Sequence, residues 1–428
     1  QFNQRGKEAL FEFCRPLTQM GLKYVGYNKF VREMIRVFAA ATADRSEFRF
    51  HRNQLEEILN HLKRYNYKEE QIDLVEHPLY DPVKVDFVFN PDMSPRDYQI
   101  PIVNYLVGPG TIKVVTLQTG KGKTAISMMA CAKLGVRTAL VIKGMYVDKW
   151  MEDVRFLLGL GPGELMVVRG SKDLKALIEL GKTGQLEAKF IIITNKTIYQ
   201  YLKAFEKFKD QDVGYGCRPE DFYKTLGVGL RIIDETHQEF HTNYRMDLYS
   251  HVHKTINLSA TLVSDDPFMN RMYAIAYPPA IRFQGVEYDK YIAVKALMYS
   301  ADNIRQIRFI GKRKSYSHVM FEQSLMKKPP ILKKYLDLIN EIVQTSYIKK
   351  REPGQRMLIF CATVDLCTIV TDHLKKLYPD LVVNRYVSDD DYDKLLNADI
   401  SVSTIKSAGT AVDIDGLRIC LMTDALNS

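Results

Sequence analysis

From Gly110 onward, short apolar runs alternate with stretches of helical periodicity. Ile112-Lys-Val-Val115 with Leu117, Thr138-Ala-Leu-Val-Ile142, Leu165-Met-Val-Val168, Phe190-Ile-Ile-Ile-Thr194 and Leu230-Arg-Ile-Ile233 are four to six residues long, rich in β-branched side chains, and mostly lack a polar face. That is the pattern of strands buried on both sides. Between them, Tyr146 to Leu158 and Lys172 to Leu180 carry apolar residues at helical spacing. The alternation predicts a mostly parallel sheet with helices on both faces, and ligand-binding loops at the carboxyl ends of the strands. The pattern recurs toward the C-terminus. Strands are expected at Ile292 to Met298, Met357 to Cys361, Leu381 to Val383, Ile400 to Thr404 and Arg418 to Met422, with a helix over Ile331 to Ile348.

The first ninety residues read differently. Helices are predicted over Phe30 to Phe38 and over Asn53 to Tyr65, where Leu55, Ile58, Leu59 and Leu62 share one face; Ser46 to His51 and Gln71 to Val75 alternate like strands. The turn-rich segment Asn90-Pro-Asp-Met-Ser-Pro95 closes this region. The expected organisation is a small α+β accessory domain at 1–90, able to grip a substrate or simply to cap, followed by α/β domains at 91–285 and 286–428.

Two stretches carry chemistry. Thr119-Gly-Lys-Gly-Lys-Thr124 lies between a strand and a helix. Gly120 and Gly122 let the backbone N–H groups turn inward around Lys121, and the following helix adds its positive end. Lys123 can reach β- and γ-phosphates, and Thr124 can hold Mg²⁺ through its hydroxyl. Leu117 stands where the general phosphate-loop pattern has its first glycine, and a glycine turn with a surface lysine is the competing reading of this stretch alone. The second is Ile232-Ile-Asp-Glu-Thr-His237, an apolar strand delivering two carboxylates at its end. Asp234 is suited to Mg²⁺, and Glu235 to deprotonating the water that attacks a γ-phosphate. A phosphate loop and a strand-end acid pair on one parallel sheet reinforce each other.

Around these lie supporting positions. Arg96, Tyr98 and Gln99 combine a cation, an aromatic ring and a carboxamide able to recognise adenine. His237 and His241 are four apart, but the metalloprotease pattern needs glutamate directly after the first histidine, where this chain has Gln238. His237 is instead expected to couple the nucleotide site to Ser259-Ala-Thr261.

Composition changes the picture in two respects. With 46% hydrophobic and 26% charged residues, no run of about 20 apolar residues and no leader-like start, the chain reads as soluble. The absence of Cys-x-x-Cys pairs among six cysteines favours a reducing cytoplasm. The net charge of +9 invites a polyanion. Its surplus is concentrated between Asn303 and Arg356, where thirteen Lys/Arg face four Asp/Glu. There Ile304 to Tyr316 alternates like a hairpin with Lys312, Arg313 and Lys314 at its tip, suited to phosphates, with Phe309 and Tyr316 able to stack. A solvated charged face is the alternative.

In this order the motifs resemble those of the superfamily 2 helicases. Tyr98-Gln99 is similar to the adenine-reading glutamine motif, Thr119 to Thr124 to motif I, Asp234-Glu-Thr-His237 to motif II and Ser259-Ala-Thr261 to motif III. Met357 to Cys361 resembles motif IV, and Ser403 to Ile414 resembles motif V. The resemblance implies two tandem RecA-like parallel-sheet motor domains behind the accessory domain, with ATP and Mg²⁺ between them. It carries nucleotide binding to Gly409 and Asp413, and nucleic-acid contact to Thr194, Phe360, Thr404 and Thr410. A small domain ahead of a tandem motor most resembles compact phage helicases of the UvsW kind, functional analogues of RecG. The implied protein is a monomeric, DNA-dependent ATPase that unwinds or branch-migrates forked, branched or single-stranded DNA in replication, recombination or repair. For a phage protein, its location is the host cytoplasm. The rivals are a duplex translocase, an RNA helicase and a nucleotide-gated clamp. Two departures stand out: Lys143-Gly144 replaces the proline-threonine of motif Ia, and motif VI with its arginine is not in the sequence. The natural protein is therefore expected to continue past Ser428, and Gln1 to follow a trimmed or missing start.

Overall fold

Val31, Ile35 and Val37 are β-branched, and the segment carrying them pairs as a strand, not the helix that its spacing predicts. In the computed structural model, which describes residues 3–26, 29–42, 44–118, 120–207, 214–284, 293–299, 304–311, 316–387, 390–409 and 414–424, α1 (Gln4–Cys14) leads into β1 (Thr18–Gly26). This strand pairs antiparallel with β2 (Lys29–Val37). Apolar residues at i, i+3 and i+4 fit either element over nine residues, and the partner strand settles the choice through its hydrogen bonds. Strands β3 (Ala40–Ala41) and β4 (Phe48–Arg49) form a second, much shorter antiparallel pair, so only the middle of the expected strand at Ser46 to His51 forms. Helix α2 (Leu55–Arg64) follows, as its apolar face predicts. Gln71 ends a short 3-10 turn and Ile72 to Val75 is irregular, with Leu74 and Val75 exposed and no strand pairing with it among the described residues.

The apolar runs stack side by side. β5 (Ile112–Thr116), β6 (Thr138–Ile142), β7 (Leu165–Val168), β8 (Phe190–Thr194), β9 (Leu230–Ile233) and β10 (Lys254–Ser259) make a six-stranded sheet in the order β5-β10-β9-β6-β8-β7, parallel throughout. Helices α3 (Gln99–Val107), α4 (Lys123–Leu134) and α5 (Val147–Leu158) cover one face, burying Ile102, Leu106, Ile126, Met128 and Trp150. The other face is covered by α6 (Ser171–Thr183), α7 (Asn195–Lys207), α8 (Phe222–Thr225), α9 (Phe240–Asp247) and α10 (Pro267–Ala276). Leu17 and Phe38, at the roots of β1 and β2, lie in that second core. Because every strand runs the same way, the ends carrying Leu117, Lys143, Thr194, Asp234 and Ser259 all open on one edge.

This sheet and the N-terminal elements belong to one unit, Gln1–Lys290; Tyr291–Ser428 forms the other. The second unit has α11 (His318–Met326), α12 (Pro329–Ser346), β11 (Arg356–Cys361), α13 (Val364–Leu377), β12 (Val383–Tyr386), β13 (Ile400–Thr404) and β14 (Leu417–Met422). Its sheet runs β12-β13-β11-β14, again parallel. The α/β class with two parallel sheets in tandem is as the hydrophobic pattern predicts. Glu322, fully buried, accepts bonds from the N–H groups of Ala362 (2.8 Å) and Thr363 (2.7 Å) and caps the start of α13. Residues 293–299 form no strand, against expectation. Ile310 and Tyr316 pair as an antiparallel bridge, while Lys312, Arg313 and Lys314 lie outside the described residues. Among the described residues no helix is long and apolar enough to cross a membrane.

Candidate nucleotide site and the groove beside it

Strand β5 ends in an apolar seat, Leu117 being fully buried, and the chain then turns through two glycines in the left-handed region, Gly120 at φ +80° and Gly122 at φ +74°. Only glycine adopts such angles without steric cost. Gly122 is also held by its neighbour, because a Cβ there would lie 2.6 Å from Gln99 Nε2. Helix α4 starts at the next residue, so Lys123 and Thr124 stand in its first turn. Thr119 lies outside the described residues.

Strand β9 delivers Asp234 and Glu235 beside this loop. Glu235 sits at φ +47°, an angle rare for a residue with a side chain. Its N–H donates to Asp234 Oδ1 at 2.9 Å. The resulting turn aims its carboxylate at the loop, where Lys123 Nζ donates to Glu235 Oε1 at 2.5 Å. Both side chains are largely buried, so the ammonium and the acid pair face each other with little water between them. Asp234 Oδ2 accepts a bond from Trp150 Nε1 at 3.0 Å. Burial holds the Asp234 carboxyl above the usual carboxylate range; Glu235 adds to that shift, while Lys123 and the Trp150 bond oppose it.

His237 links the acids to the next strand. Ser259, at the end of β10, donates its hydroxyl proton to the Thr261 carbonyl and accepts from the Thr261 N–H at 3.2 Å. Its remaining contact, His237 Nδ1 at 2.8 Å, is therefore the donor, which assigns the ring proton to Nδ1. The same nitrogen lies 3.5 Å from Glu235 Oε2. Burial pushes the His237 imidazole below its ordinary value, partly offset by Glu235. His241 is turned elsewhere: its Nε2 meets the Val37 carbonyl at 2.9 Å.

The Arg96, Tyr98 and Gln99 segment also packs on the loop. Tyr98 donates to the Lys121 carbonyl at 3.1 Å, with the buried Gln99 Nε2 at 3.5 Å from the same oxygen. The Arg96 guanidinium reaches the Tyr98 hydroxyl at 3.2 Å, and Gln99 Oε1 accepts the Arg96 N–H at 2.9 Å. Trp150 is the site residue that sequence reasoning passed over; its one signal was being the only tryptophan of the chain.

Beside the acids, along the same strand edge, opens a cavity of about 610 Å³ lined by Arg36, Lys143, Asn195, Lys196, Tyr199 and His237, among others. Thr194, at the end of β8, is buried next to it and shares a 2.7 Å bond with the Thr197 hydroxyl. In the second unit, Thr404 ends β13 with its hydroxyl 2.9 Å from Ser407, and Gly409 follows, its N–H on the Ile405 carbonyl at 2.8 Å. Phe360 is buried with Leu358, Leu395, Ala408 and Ile414. Thr410 and Asp413 lie outside the described residues.

No family model matches the chain, and no curated protein does. Among solved structures it is similar to the Hef helicase domain of Pyrococcus furiosus, at 14% identity over 77% of this chain and 95% of that one, with a TM-score of 0.42. It is also similar to a variant of S. cerevisiae Dbp5 bound to Gle1 and IP6, at 14% identity over 78% of this chain and 75% of that one, with a TM-score of 0.46.

Proposed function

We propose that this chain is an ATP-driven DNA helicase or branch-migrating translocase. The observation that carries the reading is the 2.5 Å pairing of Lys123, on a glycine loop at a helix start, with Glu235, next to Asp234 at a strand end. Side chains at this edge supply several of the groups that phosphoryl transfer from ATP to water uses. Lys123 and the α4 N-terminus meet the phosphates, and Tyr98 with Gln99, already against the loop, suit the adenine. The donor set also fits Mg²⁺, a hard cation that takes oxygen ligands. The Thr124 hydroxyl and the Asp234 carboxylate would hold it, and bound there it would neutralise phosphate charge. Phosphates arriving at Lys123 draw the ammonium from Glu235, whose carboxylate is then free to take a proton from water. His237, bonded to Ser259 and next to Glu235, would relay the change toward Thr261.

The groove of Arg36, Lys143, Lys196 and Tyr199 supplies cations and a ring for a nucleic-acid strand; separately, the basic sequence around Lys312 to Lys314 is suited to phosphates. In this proposal the hydrolysis cycle moves the protein along that strand. The test is strand displacement and ATP turnover on forked DNA, duplex DNA and RNA. Fork-dependent, ATP-dependent displacement is expected. Turnover on duplex without displacement would mean a plain translocase, preference for RNA an RNA helicase, and displacement without ATP a clamp.

A further inference from the structure

Trp150 stands between two places that the parallel sheet brings to one edge, the acid at the end of β9 and the cation-lined groove. The chain leaves β6 at Ile142, turns through Lys143 to Tyr146 and enters α5 at Val147. Lys143, Gly144 and Met145 line the groove, and Met145 is 61% exposed. Trp150, in the first turn of the helix, is buried and gives its N–H to Asp234 Oδ2 at 3.0 Å. The rise of a helix places it about 6 Å along the axis from Tyr146. One wall of the groove and one hydrogen bond of the metal-suited acid therefore belong to the same short segment.

That segment has little slack. The Tyr146 N–H donates to the Lys143 carbonyl at 3.0 Å and the Val147 N–H to the Gly144 carbonyl, so the turn is bonded straight into the helix start. A Cβ on Gly144 would lie 4.0 Å from Thr194 Cγ2, so the turn also rests against the end of β8. Val147 and Val154, both fully buried, share one core with Trp150, and an interior packed to that density transmits displacement. At the far end, Asp234 Oδ1 accepts the Glu235 N–H at 2.9 Å and Oδ2 accepts the indole. The terminal torsion of an aspartate is soft, and these two donors set it. A shift of Trp150 by about half an ångström takes its 3.0 Å bond out of range and leaves the torsion to one donor.

We propose that Trp150 is a positioning residue that couples the groove to the nucleotide site. A strand seated against Lys143 and Met145 holds the turn, the held turn keeps the indole on Asp234, and the fixed carboxylate favours Mg²⁺ with nucleotide. The coupling is reciprocal, because both ligands select the same placement of α5. This deepens the nucleic-acid motor reading above and rests on it.

The test reads binding as well as turnover. Fluorescein-labelled single-stranded DNA is titrated with the full chain, alone and with Mg²⁺ and a non-hydrolysable ATP analogue. In the unaltered chain the Mg²⁺ complex of the analogue should tighten DNA binding about fivefold or more, and in Trp150→Phe that gain should shrink to within about twofold. DNA affinity without nucleotide should be retained. Val154→Ala, which loosens the same helix but keeps the indole, should retain the gain. Emission from Trp150, the only tryptophan of the chain, should move when DNA alone is added. A full gain in Trp150→Phe would overturn the proposal, as would a Trp150 emission that DNA leaves unchanged. So would an equal loss of the gain in Val154→Ala, or a loss of DNA affinity without nucleotide in Trp150→Phe, either of which marks a structural role. DNA binding and DNA-stimulated ATPase without any gain in the unaltered chain would sink the coupling and keep the motor; absence of both would sink the two together.

Discussion

Replacing Trp150 with phenylalanine isolates the contact that orients the buried acid. The indole is 3% exposed and gives its N–H to Asp234 Oδ2 at 3.0 Å. A hydrogen bond to a charged group contributes about 1.5–3 kcal/mol. The smaller ring leaves a gap worth about a further 1 kcal/mol. Trp150→Phe should therefore lower the local stability of β9 by about 2–4 kcal/mol, so that amides over Leu230–Ile233 exchange about 30 to 1000 times faster. Hydrogen exchange read by mass spectrometry on the intact chain measures this without assuming that the two units unfold together. The effect has a pH sign. Burial raises the folded Asp234 pKa, so the folded chain holds that proton more readily than the unfolded chain does, and stability falls as pH rises through the raised value. Losing the indole donor moves that value further up. Repeating the substitution on Asp234→Ala separates the bond from the packing. An equal cost in both backgrounds would show that the indole–carboxylate bond contributes nothing and would refute the assignment of Trp150 to the site.

Three other outcomes are expected. Glu235→Gln should retain ATP and DNA binding but lose about two to four decades of turnover, whereas Lys123→Ala should weaken the ATP complex itself; near-normal turnover in the glutamine variant removes Glu235 as the base. Gly122→Ala forces a side chain into φ +74° and against Gln99 Nε2, so calorimetric titration should show ATP affinity at least about tenfold weaker, and an unchanged Kd would mean the loop does not hold this conformation when nucleotide binds. Burial pushes His51 down to about 4, so the unfolded chain takes up a proton near pH 6.5 that the folded chain refuses. Stability should then fall as pH drops from about 6.5 to 4, by up to about 3 kcal/mol, and His51→Gln should flatten the acid limb of a denaturation series; an identical limb in the variant assigns the acid sensitivity to other groups.

Five strands of the first sheet were legible because they mostly lack a polar face; the sixth, β10, carries Lys254, Thr255, Asn257 and Ser259 and was not predicted. Phe190 to Thr194 and Thr138 to Ile142 can be satisfied only inside a covered sheet, and covering a parallel sheet requires the intervening helices. The parallel direction then carries Lys123 and Asp234-Glu235 to one edge, which is why two short motifs 110 residues apart could be read as one site. Glycines at 120 and 122 declared the loop for the same local reason, since their left-handed angles exclude other residues.

Convergence of side chains from distant segments was left to the tertiary structure. That the indole of Trp150 lands on Asp234, that Gln99 closes against Gly122, and that His241 leaves the acids to hold Val37 follow from how helices lie on the sheet, which no local period encodes. The pairing of β1 with β2 shows the limit most plainly. Residues 29–37 carry an apolar spacing that a helix and a strand share, and the decision belonged to Thr18–Gly26, whose backbone groups pair with theirs. Periodicity is a property of one segment and can be read from it; hydrogen-bond pairing and burial are properties of two, and exist only once the chain has brought them together.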